Sequence, residues 1–260
     1  MSPSEEHSVD WRDAAAYAPL LQADRSIFAW EWLRRDPTYR ATARQSLASA
    51  DGATVGRRPV GAARWGLHAF EPPELAAPRA RPVWLTDVHP LVLRAMADGP
   101  AEPVDAFDMA HFGSLATLIQ SRGGGEHLLL SDGLRTIRID IVAGSVSHGP
   151  VQLRYLLAGL SSAAKPLLTL RRLLALNETG RFARSLHACE KRARRWVLAL
   201  RAHDGLAAGA DQREIAAVLL GAEAREPRWR SERPSLRSQV QRLVGRARRL
   251  AAGEYLALLH

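Results

Sequence analysis

The amino-acid sequence predicts an α+β protein with a helical N-terminal module, a small antiparallel sheet, and a C-terminal helical domain that contains a helix-turn-helix. Three observations support this prediction. Helical periodicity with dense aromatic residues fills the first part of the chain. An alternating apolar pattern around an Asp-Gly turn occupies the middle, and two amphipathic helical patterns follow near the end. The predicted domains are residues 1–58, 59–160 and 161–260.

Capping residues divide the N-terminal module into three short helices. Asp10 and Asp24 are placed to cap the first two, and Asp36-Pro37 begins the third with proline at its favoured first position. The aromatic residues of this module are Trp11, Tyr17, Phe28, Trp30, Trp32 and Tyr39. They form either part of a core, which we favour, or an exposed patch that docks RNA polymerase or another regulator.

The middle region is interrupted by prolines and predicts short strands. Residues 66–70, 90–96 and 151–155 are short apolar runs, and the clearest signal is the segment from Glu126 to Ile141. There Asp132-Gly133 indicates a hairpin turn, and three isoleucines alternate with polar residues. The region therefore predicts a small, mainly antiparallel sheet with a structural or ligand-sensing role.

The first amphipathic helix of the C-terminal domain is predicted between Asp211 and Gly221. Asp211 can accept a hydrogen bond from the backbone N–H near Glu214, and Glu214 can reach back, as in a capping box. Ile215, Val218 and Leu219 share one face, and Gly221 ends the helix. The connection from Gly221 to Pro234 is longer than a usual turn, and Trp229 is expected to pack it against the helices.

The second amphipathic helix is predicted from Ser235 to Leu250. Its buried stripe is Leu236, Val240, Leu243, Ala247 and Leu250, which step by four, three, four and three. Polar and basic side chains face outward. Arg can bond to guanine, Gln to adenine, and Ser to phosphate or base from a helix in the major groove. A solvated basic face is the alternative interpretation.

A further helix is predicted from Leu186 to His203, before these two. We expect it to pack against them and to contact phosphates through its basic face. A basic face that is simply exposed to solvent is an equal alternative. The predicted DNA-binding residues are Ser235, Arg237, Ser238, Gln241, Arg242, Arg246, Arg248, Arg249, Arg213, Arg194 and Arg195.

The charge distribution favours the same half of the chain. Residues 151–260 carry 21 Lys or Arg against 9 Asp or Glu, a surplus of twelve, whereas residues 1–150 have a deficit of three. A polyanion such as double-stranded DNA is therefore expected to bind the C-terminal half. Cys189 is the only cysteine. The sequence shows no signal peptide and no apolar run of membrane-spanning length, so we expect a cytoplasmic, nucleoid-associated protein without membrane contact.

The sequence offers little support for an enzyme. The histidines are scattered without metal-binding spacing, and the glycine run at 123–125 lacks the ending of a phosphate loop. Asp105, Asp108 and His111 can be drawn as a cluster, but surface polar residues explain them better. We therefore predict no catalytic residue, metal or cofactor.

Two stretches of the chain resemble known regulators. Trp11-Arg-Asp-Ala-Ala-Ala-Tyr and Phe28-Ala-Trp-Glu-Trp-Leu-Arg-Arg-Asp-Pro resemble the transcriptional-regulator-like domain at the N-terminus of certain proteobacterial proteins. The run from Leu167 through Gln212-Arg-Glu-Ile-Ala to Pro234-Ser-Leu-Arg-Ser-Gln is similar to the C-terminal domain of the same proteins. They include FseA/QseM-type regulators of integrative and conjugative elements.

The resemblance implies a DNA-binding regulator or a protein that sequesters one. The two-domain length favours an activator of excision and transfer genes. A homodimer that binds a palindromic DNA site is one form that such an activator can take. The rival is a protein-interaction module of the antiactivator type, which binds another regulator without reading DNA.

Overall fold

The computed structural model describes residues 9–49, 61–99, 101–121, 123–221 and 234–260. It divides into two compact units. Unit 1 comprises the described parts of Met1–Ala23 and Cys189–Tyr255, and unit 2 comprises those of Asp24–Ala188 and Leu256–His260. Unit 1 thus combines the start of the predicted N-terminal module with most of the predicted C-terminal domain. The predicted domain boundaries themselves stay a prediction.

Unit 2 is built on a mixed sheet. Its strands are β1 (Val92–Asp98), β2 (Ala106–Phe107), β3 (Ala116–Gln120), β4 (Glu126–Ser131), β5 (Thr136–Ala143) and β6 (Val151–Leu156). Among the described residues their order is β2-β6-β1-β5-β4-β3. β1 and β5 are parallel, whereas the other pairs are antiparallel. The prediction of an antiparallel sheet was therefore wrong at its centre, because hairpin signals report only strands that are neighbours in sequence.

The predicted hairpin at Asp132-Gly133 joins β4 to β5. The strands pair up to Ser131 and Thr136, and the Asp132 carboxylate accepts hydrogen bonds from the backbone N–H groups of Leu134 and Arg135 at 2.9 and 2.7 Å. Gly133 has φ 92°, and a Cβ there would lie 1.6 Å from the Pro78 carbonyl oxygen. Glycine is required by both the backbone conformation and the close approach.

Both faces of the β4–β5 hairpin are buried. One face carries the apolar residues of the main core, which packs against the helix Ala164–Thr179 (α3). The other face carries Leu129 in a smaller apolar cluster with Ala69 and Val83, together with Arg138 and Asp140. The polar residues that alternate along β5 thus face protein rather than solvent. The predicted strand at 66–70 is reduced to one bridge between Leu67 and Trp84.

Two more helices belong to unit 2. They are α1 (Arg25–Leu33) and α2 (Pro37–Ala48). Asp36 caps α2 as predicted, accepting from the N–H groups of Thr38 and Tyr39. Asp24 stands at the N-cap of α1 but makes no capping bond there; its carboxylate accepts from the Thr136 N–H at 2.8 Å. Trp30 and Trp32 are fully buried, so the core interpretation of these aromatics is confirmed.

Unit 1 is helical. It contains a 3-10 helix (Ala15–Gln22), α4 (Ala193–Ala207), α5 (Gln212–Leu219) and α6 (Pro234–Ala251). α4 contacts the other three elements. Trp11 is buried against Gly205 of α4, where a Cβ would lie 3.1 Å from the indole ring. α4 begins at Ala193, seven residues later than predicted. Just before it, the Glu190 carboxylate accepts a hydrogen bond from the Arg192 N–H at 3.1 Å.

Short 3-10 helices complete the description. They span Ala62–Trp65, Met109–Leu115 and Glu254–Leu259. The predicted turn between α5 and α6 and the predicted packing of Trp229 lie outside the described residues. None of the helices in the described ranges is long and apolar enough to cross a membrane.

Candidate nucleic-acid interface

α5 begins with half of the predicted capping box. The Asp211 carboxylate accepts from the Glu214 N–H at 2.8 Å, which satisfies one of the free donors at the helix start. Glu214 does not reach back to Asp211, because its carboxylate is paired with the Arg12 guanidinium. Arg12 lies about two hundred residues away in sequence. No local pattern could have predicted that partner.

The buried face of α6 is broader than the predicted stripe. Val240, Ala247 and Leu250 are buried as expected, and Val244 is buried as well. Leu236 and Leu243 are only half-buried. α6 packs against both α4 and α5. Because two helices cover it, its apolar face is wider than the single stripe of residues spaced three and four apart.

The opposite face of α6 is exposed and polar. Ser238, Gln241 and Arg242 are exposed there. The other exposed polar residues of the helix are Ser235, Arg237, Gln239, Arg248 and Arg249. Gln239 was not among the predicted contacts, and it is exposed as well. Seven of the predicted DNA-binding residues therefore share one exposed side of one helix.

Arg246 differs from the other arginines of α6. It is half-buried, and its Nε atom is shielded from solvent and meets no acceptor among the described residues. It stands at the border between the buried and exposed faces, where the helical wheel places it. Its guanidinium is less available to a duplex than those of Arg242 and Arg248.

Arg249 has an acidic neighbour. Its Nε lies 3.4 Å from the Glu254 carboxylate, and both side chains are more than half exposed. Exposed ion pairs contribute about 0–1 kcal/mol, so this contact competes weakly with a phosphate. Gly245 lies beneath the same guanidinium, since a Cβ there would be 3.8 Å from Arg249 Nη1.

The remaining predicted contacts lie on the other two helices of unit 1. Arg194 and Arg195 are exposed in the first turn of α4. Arg213 is exposed near the start of α5 and lines a shallow depression with Arg12, Asp211 and Glu214.

Comparison with known protein families agrees with this geometry. Residues 156–260 match the family model described as "T6SS, Transcription factor, DNA binding domain". Residues 10–68 match the one described as "Proteobacterial transcriptional regulator-like domain". No protein of curated function matches the chain.

The matches confirm the coarser part of the sequence resemblance. Residues 10–68 are similar to a transcriptional-regulator-like domain, and the stretch that contains α4, α5 and α6 is similar to a RovC-type DNA-binding domain. Together they support a DNA-binding transcriptional regulator with DNA as a partner. Both descriptions are regulatory, which favours a protein that is not an enzyme.

Proposed function

We propose that this chain is a sequence-specific DNA-binding regulator in which α6 enters the major groove. The observation that carries the proposal is the exposed polar face of α6, opposite a buried apolar face, within the region that matches a DNA-binding domain. In this arrangement α5 and α6 act as the two helices of a helix-turn-helix. α5 packs against α6, as the first helix of such a motif supports the second.

Arg242 is the proposed base-reading residue. It lies in the middle of α6 on the exposed face, where a helix in the groove comes nearest to base edges. Arg242→Ala should weaken specific binding by ~1–3 kcal/mol and relax the preference at one base position. Circular dichroism should stay unchanged, because the side chain lies outside the core.

Arg171→Ala is the matched control. Arg171 is an exposed helical arginine within the same family match, but it lies on α3 in unit 2. A gel-shift assay against genomic fragments should therefore separate the two variants. Equal binding by Arg242→Ala and the wild-type protein, with both folded, would contradict the assignment of α6.

Phosphate contacts are expected from exposed arginines in unit 1. Besides the base-reading Arg242, the predicted DNA contacts among them are Arg194, Arg195, Arg213, Arg237, Arg248 and Arg249. If about five or six neutralise phosphates, log affinity should fall against log salt with a slope of about −5. The rival function, a module that binds another regulator without reading DNA, predicts shallow salt dependence and no preference among fragments.

The finer proposal concerns target genes. The sequence resemblance favours an activator of the excision and transfer genes of an integrative and conjugative element, whereas the matched family description names a type VI secretion transcription factor. Sequencing the genomic fragments that the purified protein retains will decide between these gene classes. A reporter fused to a retained promoter then distinguishes activation from repression.

The N-terminal domain is the proposed contact for RNA polymerase or another regulator. Trp11, Trp30 and Trp32 are buried, so such a contact has to use other side chains of that domain. Binding as a homodimer is a further part of the proposal, since a two-fold-related pair would match a palindromic site.

A further inference from the structure

Two histidines and an aspartate meet on the polar face of the β4–β5 hairpin. His127 of β4 stands directly opposite Asp140 of β5, and its Nδ1 lies 2.8 Å from Asp140 Oδ1. The His68 ring stacks on the His127 ring with centroids 3.5 Å apart. One ring nitrogen of each histidine and one oxygen of Asp140 all lie within 4.8 Å of one another.

The carboxylate of this cluster is held in place and ionised. Asp140 Oδ2 accepts from the Thr86 hydroxyl at 2.8 Å, and Oδ1 lies 2.9 Å from Arg138 Nη2. Burial raises the pKa of Asp140, but its hydrogen bond to His127 and the Arg138 charge outweigh that effect and hold the pKa well below its usual range. The Thr86 hydrogen bond and the Arg138 ion pair thus fix the position of the Asp140 carboxylate oxygens.

The imidazole of His68 stays neutral. Burial, then the neighbouring His127 and Arg138, lower the pKa of His68 to about 3. Its Nε2 is shielded from solvent and has no hydrogen-bond partner among the described residues. A metal ion binds imidazole through a ring nitrogen that has no other partner, and among the described residues His68 Nε2 has none.

We propose that His68, His127 and Asp140 bind a divalent transition-metal ion of the Zn²⁺ class. Two imidazole nitrogens and one carboxylate oxygen suit Zn²⁺, which takes such ligands at about 2.0–2.2 Å and completes its shell with water. Mg²⁺ and Ca²⁺ prefer all-oxygen sites. One potential ligand atom from each of the three side chains already lies within 4.8 Å of the others.

The site has a structural consequence within unit 2. His68 follows Leu67, whose bridge to Trp84 ties this loop to a second one, and the two other ligands lie on neighbouring strands. A bound ion therefore cross-links the loop to the sheet. Arg138 repels a second cation in the same place, so we expect moderate affinity and a bridging role for the Asp140 carboxylate.

Metal binding is tested on the full chain without a histidine tag, after treatment with a chelator. Titration of wild-type protein with Zn²⁺ in a calorimeter should show one equivalent bound and a higher Tm. Co²⁺ should give a visible absorption band, whereas Mg²⁺ should give no heat. Failure of the wild-type protein to bind Zn²⁺ stoichiometrically would overturn the proposal, whatever the variants do.

Variants locate the ion. His68→Gln and His127→Gln should each reduce the affinity at least tenfold, whereas His111→Gln should leave it unchanged. His111 is an exposed histidine in the same unit and therefore controls for adventitious surface binding. Undiminished binding by both cluster variants would place the ion elsewhere and reject the site. X-ray absorption of the bound metal should show two imidazole ligands, a readout that does not depend on the folding of any variant.

Discussion

Arg201 attaches the N-terminal segment of unit 1 to α4, and replacing it with methionine should release that segment. Its Nε donates to the Trp11 carbonyl at 2.8 Å and its Nη2 donates to the Arg12 carbonyl at 2.7 Å. The side chain is 8% exposed, and its guanidinium carbon lies 5.9 Å from the centre of the Tyr17 ring. One buried cation thus satisfies two backbone acceptors.

The magnitude follows from these two bonds. A hydrogen bond from a charged donor contributes about 1.5–3 kcal/mol. The side chain of Arg12 is half exposed, so we expect water to replace part of the interaction once its carbonyl is released. We therefore expect Arg201→Met to lower the free energy of local opening by about 2–4 kcal/mol. Methionine keeps much of the apolar contact volume, which limits any packing contribution.

Hydrogen exchange measures this effect locally. The Tyr17 and Ala23 amides donate to the carbonyls of Ala14 and Leu20, and they exchange only when the segment opens. Their exchange should become about 30- to 700-fold faster in the variant, which corresponds to the expected 2–4 kcal/mol.

Arg195→Met is the control for this experiment. Arg195 lies on α4 as well but is exposed, so its replacement should leave the exchange rates unchanged. Equal protection of Tyr17 and Ala23 in Arg201→Met and wild-type protein would refute the reasoning. It would show that apolar packing of Trp11 and Tyr17 holds the segment without the arginine.

Gly245 and His89 provide two further predictions. Gly245→Ala should raise the unfolding free energy by about 0.5–1 kcal/mol, measured in urea, because a Cβ there meets only Arg249 Nη1 at 3.8 Å and alanine favours helix. No gain would show that the added methyl group strains α6. Burial, above all, lowers the pKa of His89 to about 4, so the unfolded chain binds more protons below about pH 6.5 and stability falls as pH drops. By pH 5 the contribution of His89 to this loss should reach about 2 kcal/mol. His89→Gln should remove that contribution, and an unchanged pH dependence would assign the loss to other groups.

Local patterns predicted the elements that depend on neighbouring residues. Asp36 at the start of α2, the turn at Asp132 and the ends of α6 all lie where their short-range signals place them. Each of these features depends on contacts between residues a few positions apart, so the local sequence pattern is enough to predict it. The start of α4 was misplaced because residues 186–192 are apolar and basic like the helix that follows, although they lie outside it.

Contacts between distant residues could not be predicted in this way. Pairing of β1 with β5 joins residues more than forty positions apart, and His68 meets His127 only because the 61–89 segment covers one face of the hairpin. The alternation of apolar and polar residues along β5 shows that the two faces of the strand differ, but it does not show what packs on each face. The candidate metal site forms only because the 61–89 segment packs on this face of the hairpin.

The arginines show why composition overstates the DNA interface. Arg138 and Arg201 are buried and donate to backbone carbonyls, whereas Arg242 and Arg248 are exposed on α6. Counting charges treats these two groups alike, although only the exposed group can release counterions from a duplex. If five or six exposed arginines neutralise phosphates, one chain gives a salt slope of about −5. A two-fold-related dimer on one duplex would roughly double that slope, so we expect the salt dependence to change with dimer formation as well as with binding.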